Sequence, residues 1–182
     1  MKSIIKSIKK TVILVTFLTF NLSLSAQNET AAGKLFYTEF GGPGVIMSAN
    51  FDKRFDSKSR LGFGFRVGAG FGSRSNANYY DSDGNYTGPL TYFSFPVGIN
   101  YVLGKPNCAK TFEVGAGLSL FTQKMSFYNY NEKEGSIIGF FSFMYRSMPL
   151  DGGFSWRIGL TPIIGTSGNM FPMGAIGIGF VF

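Results

Sequence analysis

Histidine does not occur in the 182 residues, and that removes most of the chemistry a small domain can perform near neutral pH. Imidazole is the side chain that takes up and releases a proton in that range, and Ser-His and Asp-His hydrolases depend on it. A Ser-Lys pair is the remaining nucleophilic scheme, but no lysine falls beside a serine on the enclosed face of the strands described below. With one cysteine, Cys108, and no histidine, a transition-metal site lacks its ligands and no intramolecular disulfide can form. The sequence predicts no catalytic residue, no cofactor, no metal site and a chain that is not an enzyme.

The strongest constellation is a set of charges at one parity of alternating segments: Glu39, Asp52, Arg54, Arg66, Glu113, Arg146 and Arg157. Each shares the face opposite a row of apolar side chains. One reading is a gated ion path or proton relay. The other, favoured, is a salt-bridged plug, because a lone charge in a narrow enclosure is costly and opposite charges must pair there. A weaker pattern is Asp81-Ser82-Asp83-Gly84-Asn85, which begins like a calcium loop. That pattern wants glycine sixth and an acid twelfth, where this chain has Tyr86 and Tyr92. A polar turn at a loop tip is preferred, with weak cation bridging as the alternative. Tyr79, Tyr80, Tyr86, Tyr92, Tyr128 and Tyr130 crowd strand ends and loops. An interfacial girdle is expected for Tyr92 and Tyr128. For the loop tyrosines, an adhesive surface stays open.

The elements that position these residues follow from a two-residue period. Leu61, Phe63, Phe65, Val67, Ala69 and Phe71 alternate with Gly62, Gly64, Arg66, Gly68, Gly70 and Gly72. The same alternation runs through 93–103, 112–120, 141–146, 154–161 and 175–182. It puts Val45, Met47, Ala49 and Phe51 on one face and Ile46, Ser48, Asn50 and Asp52 on the other. Seven strands are expected at about 44–55, 61–72, 90–103, 111–123, 136–147, 153–164 and 171–182. Residues 35–41 form either an eighth or the start of one long strand bent at Gly41-Gly42-Pro43-Gly44. An even count favours eight.

Residues 1–26 look like an export signal. Lys2, Lys6, Lys9 and Lys10 precede the apolar run Thr11–Phe20, and small residues lead to Ala26. The run is too short to span a bilayer. These 26 residues hold four Lys and no acid, so Lys+Arg falls from 17 to 13 against 10 acids, and net charge falls from +7 to +3. Nucleic-acid binding thereby loses its main support. Residues 27–33 are expected to be a short linker and 34–182 the folded domain. An exported chain rich in aromatics and glycine, with no apolar run long enough for a spanning helix, can still enter a membrane as a closed barrel. The predicted fold is all-β: an eight-stranded antiparallel up-and-down transmembrane barrel. Short turns at 56–60, 104–110 and 148–152 alternate with longer loops at 73–89 and 124–135 and a modest one at 166–171. That pattern places both termini in the periplasm.

Gly41-Gly42-Pro43-Gly44 with Asn50-Phe51-Asp52-Lys53-Arg54-Phe55, then Phe95-Pro96-Val97-Gly98-Ile99-Asn100-Tyr101, Met144-Tyr145-Arg146, Arg157-Ile158-Gly159-Leu160-Thr161-Pro162 and the terminal strand resemble the small OmpX/OmpA-like barrels. They are most similar to the outer-membrane β-barrel domain proteins common in Bacteroidota. The resemblance implies an integral outer-membrane protein of Gram-negative cells with a structural or surface-interaction role in adhesion or envelope integrity. It also implies a C-terminal assembly signal, matched by Gly177, Phe180 and Phe182, with Ala175 where the family has a polar residue. The expected partners are outer-membrane lipid, lipopolysaccharide and the barrel-assembly machinery. No nucleic acid partner is expected, and the protein is expected to be a monomer. The alternative function is a narrow channel or a lateral conduit for small apolar molecules.

Overall fold

The computed structural model describes residues 33–74, 90–125, 135–166 and 168–182. The export signal, the Asp81–Asn85 pattern and Tyr79, Tyr80, Tyr86, Tyr128 and Tyr130 lie outside them. The strands are β1 (Lys34–Gly41), β2 (Met47–Arg54), β3 (Gly62–Arg74), β4 (Leu90–Gly104), β5 (Lys110–Met125), β6 (Gly135–Ser147), β7 (Gly153–Leu160), β8 (Ile163–Ile164), β9 (Met170–Phe171) and β10 (Gly174–Val181). All pairings are antiparallel. Strands β1 to β7 pair in chain order, and β10 pairs with both β7 and β1.

The ten segments make eight wall strands. Segments β7 and β8 continue one register against β6, and β9 and β10 continue one register against them. Only the ladder is interrupted, at Thr161-Pro162 and Pro172-Met173, because proline has no N–H to give. The Pro162 carbonyl still accepts from the Phe141 N–H at 3.0 Å, and the Met173 carbonyl from the Thr161 N–H at 2.6 Å. The sheet closes where Leu35 meets Val181 and Gly41 meets Ala175. A closed antiparallel sheet has no edge, so its backbone groups pair within the wall. The short first segment is therefore a separate strand, not the start of a bent one.

Alternation sets the two surfaces, and they are inverted relative to a water-soluble domain. Among the described residues 31 large apolar side chains are exposed, while 16 polar or charged residues are buried against 12 apolar ones. Ile176, Ile178, Phe180 and Phe182 face out, and Ala175 and Val181 face in. The inward glycines have a packing reason. A Cβ at Gly117 would lie 2.5 Å from the Phe140 ring, and one at Gly177 would lie 2.8 Å from Arg157 Cγ. Each such glycine is the hole into which a neighbouring strand's long side chain fits.

The β1–β2 connection does not project outward as a hairpin loop. Gly42-Pro43-Gly44 form a single 3-10 turn, and all three are buried. The turn folds into the barrel: Ser119 Oγ donates to the Pro43 carbonyl at 2.8 Å and Ser94 Oγ to the Gly44 carbonyl at 3.4 Å. Alternation fails here too. The strand begins at Met47, Ile46 is exposed, and Val45 packs inward on Tyr92, Phe121, Ile138 and Ile163. Val45 has φ 71° and ψ −63°, with the Ile46 N–H on the Gly44 carbonyl at 3.0 Å. This is the rare γ-turn with positive φ, strained for any L-residue and most for a β-branched one. Such strain costs about 1–3 kcal/mol. Val45→Gly is therefore expected to leave the urea midpoint of the folded protein unchanged or raised, despite lost packing. Val97→Gly, on a regular strand, should lower it. A lower midpoint for Val45→Gly would show that packing outweighs strain.

Candidate functional site

Among the described residues the barrel interior concentrates the chemistry, and all seven charges singled out by parity lie there. Glu39 comes from β1, Asp52 and Arg54 from β2, Arg66 from β3, Glu113 from β5, Arg146 from β6 and Arg157 from β7. Each is 0–1% exposed. They form one connected network. Glu113 takes Arg146 on Oε2 and Arg157 Nη2 on Oε1 at 3.0 Å. Arg157 Nε reaches Glu39 Oε1 at 3.2 Å, and Arg66 Nη2 donates to Glu39 Oε2 at 2.9 Å. Asp52 takes Arg54 on Oδ1 and Arg146 Nη1 on Oδ2 at 3.2 Å. Burial this complete is tolerable only because each charge has an opposite partner.

Parity also brings in residues that the sequence did not single out as site residues. Asn100 bridges the network, donating to Asp52 Oδ2 and accepting from Arg54 Nη2, both at 2.6 Å. Asn50 donates to Ser48 Oγ at 2.8 Å and accepts from Arg66 Nη2 at 3.5 Å. The Tyr37 ring lies under Arg157, 4.5 Å from guanidinium to centroid, and under Arg66 at 5.8 Å. Cation–π contact of this kind partly replaces the water lost by the guanidinium. The signal was present in each case: Tyr37 shares parity with Glu39, Asn50 with Asp52, and Asn100 with Ser94.

Apolar layers close the charged layer at both ends. Leu35, Tyr37, Met148 and Val181 cluster toward the end that carries the described termini. Tyr92, Phe121, Ile138 and Ile163 cluster at the other, with Val45 and Met173 against them. The inturned Gly42–Gly44 segment sits between that apolar layer and the charges. A Cβ at Gly42 would lie 2.9 Å from Glu39 Oε2. Tyr92 is corrected here: it is not a girdle residue but 1% exposed, inside, with its ring 5.6 Å from Phe121. Its neighbour Phe93 faces out, so Tyr92 had to face in. Polar-tipped aromatics do occur on the outer wall near the terminal end. Tyr101 meets Phe63 edge-on at 4.7 Å, and Tyr145 meets Trp156 at 5.7 Å.

Two further features flank the lumen. Arg60 clasps the turns at the terminal end, donating to the carbonyls of Met148 at 2.7 Å, Cys108 at 3.0 Å and Pro106 at 3.3 Å. Partial burial pulls the Arg60 pKa below its ordinary value, and the Cys108 side chain opposes that shift. On the outer wall, the small side chains of Thr38, Ala49 and Ala69 leave a groove of about 330 Å³, rimmed by Met47, Phe71 and Phe93. Among the described residues no group of three His, Cys, Asp or Glu is arranged to hold a metal ion. Comparison with family models, curated proteins and solved structures finds no match to the chain.

Proposed function

We propose that the protein is a non-enzymatic integral outer-membrane barrel of the OmpX/OmpA-like kind. Its lumen is a plug, and its role is structural or surface-interacting. The observation that carries this reading is the inverted barrel: an apolar outer wall all round, closed on a charged and paired interior. A wall with that many exposed apolar side chains far exceeds the few hundred Å² that a soluble monomer tolerates, and it suits lipid. Tyr101, Tyr145 and Trp156 then mark the headgroup level on the periplasmic side. Strands β3 to β6, of 13–16 residues, are longer than the roughly 9–11 residues a tilted strand needs to cross, so their ends extend past the hydrocarbon. The partners in this reading are outer-membrane lipid, lipopolysaccharide and the barrel-assembly machinery. Gly177, Phe180 and Phe182 form the assembly signal, and residues 1–26 the export signal. The outer groove at Ala49 and Ala69 favours a second reading, a lateral conduit for small apolar molecules.

The test is reconstitution. Protein folded in detergent is expected to give a β-rich circular dichroism spectrum and to run differently on SDS gels before and after boiling. In planar bilayers it is expected to conduct little or nothing. Solubility in buffer without detergent would overturn the membrane reading. Steady ion-selective conductance would replace the plug with a channel. Net uptake of an apolar dye into protein-loaded vesicles, without conductance, would favour the conduit.

A further inference from the structure

Among the described residues the lumen holds four arginines, Arg54, Arg66, Arg146 and Arg157, against three acids, Glu39, Asp52 and Glu113. Its three carboxylates are all paired with arginine. Each of the six carboxylate oxygens lies within ion-pair distance of an arginine nitrogen, and all but Glu39 Oε1 accept a hydrogen bond from one. Donors are left over. Arg66 Nη1 and Nε, Arg157 Nη1 and Arg146 Nη2 are buried without a hydrogen-bond partner, as is the Tyr37 hydroxyl. Two of these arginines lie together, since Arg66 and Arg157 share both Glu39 and the Tyr37 ring. One surplus positive charge and a surplus of N–H and O–H donors thus converge beside Tyr37. A buried charge without a counter-charge is the costliest state such a network can have.

We propose that the lumen is an anion site, in which one small monovalent inorganic anion, chloride under cellular conditions, sits against Arg66, Arg157 and the Tyr37 hydroxyl. The anion brings the interior to charge balance and accepts the donors that no carboxylate reaches. Guanidinium and phenol donors suit a small spherical anion. The site depends on the barrel interior alone, not on what surrounds its outer wall.

The experiment is diffraction from crystals of the detergent-folded protein soaked in bromide, recorded at the bromine absorption edge. The expected result is an anomalous peak inside the barrel within hydrogen-bond reach of Arg66 and Arg157. A lumen without that signal at saturating bromide, or bromide on the outer surface only, overturns the proposal. In solution, the urea midpoint of the wild type should be higher in chloride or bromide than in gluconate at equal ionic strength, because an ion that binds only the folded state stabilises it. Arg66→Gln equalises arginines and acids at three each and should lose that dependence. Dependence that survives undiminished in Arg66→Gln, or none in the wild type, overturns the site. Should Arg66→Gln fail to fold, the wild-type peak decides alone.

Discussion

Glu113→Ala is expected to cost the detergent-folded barrel about 3–5 kcal/mol, a large share of the roughly 5–15 kcal/mol that holds a typical domain together. Among the described residues Glu113 alone pairs with both Arg146 and Arg157. Its removal leaves four arginines facing Glu39 and Asp52 in a layer capped by apolar side chains at both ends. Glu113→Gln keeps the shape and one acceptor but loses the charge, so it should fall between the wild type and Glu113→Ala. The measurement is the urea midpoint, followed by the unboiled gel shift. Bilayer leakage should rise in Glu113→Ala as the plug loosens. A midpoint within about 0.5 kcal/mol of wild type would mean that water screens the layer, and the plug reading would fail.

Gly177→Val should be nearly as damaging, for a different reason, and its control lies on the same strand. A Cβ at Gly177 would sit 2.8 Å from Arg157 Cγ and 3.1 Å from the Thr38 carbonyl. Both the closing strand and the arginine stem would have to move, and Arg157 would be drawn off Glu113 and Glu39. Overpacking alone costs about 1–3 kcal/mol, and disturbing the ion pairs adds to it. At Gly174 a Cβ meets nothing nearer than the Gly159 carbonyl at 3.9 Å. Gly174→Ala should stay within about 0.5 kcal/mol of wild type. If the two substitutions behave alike, Gly177 is not a packing site.

Eight strands and the direction of nearly every strand side chain were readable from the two-residue period, because a wall with unlike faces forces each residue to one side. Arg66 and Glu113 could be placed in the lumen on that ground. Which charge meets which could not. Pair choice depends on the stagger between strands, and alternation is blind to stagger; Glu39 meets Arg157 only because β10 separates their strands by one step. The Gly41–Gly44 run announced a turn but not that it folds inward, since turn chemistry sets local backbone shape and says nothing of what lies beneath. Val45 followed the turn instead of the strand. Tyr92 was misplaced because its residue type, suited to an interface, was weighed above its parity with Ser94. Arg60 carried no signal at all: its partners are backbone carbonyls of two distant turns.

The ion network also constrains the order in which the wall can form. Glu39 and Arg157 lie at opposite ends of the chain, and they meet only across the seam that β10 completes. A nascent sheet of β1 to β6 holds Arg54, Arg66 and Arg146 but cannot yet join them into one closed array. That half-built sheet also holds Glu39, Asp52 and Glu113, so its charges balance, but Glu39 and Glu113 still lack Arg157 and neither strand edge is sealed. The last strand to arrive seals both edges and brings Glu39 to Arg157 in one event. Zippering from either end should therefore gain little until that event, and folding should proceed in a single concerted step with no long-lived open intermediate.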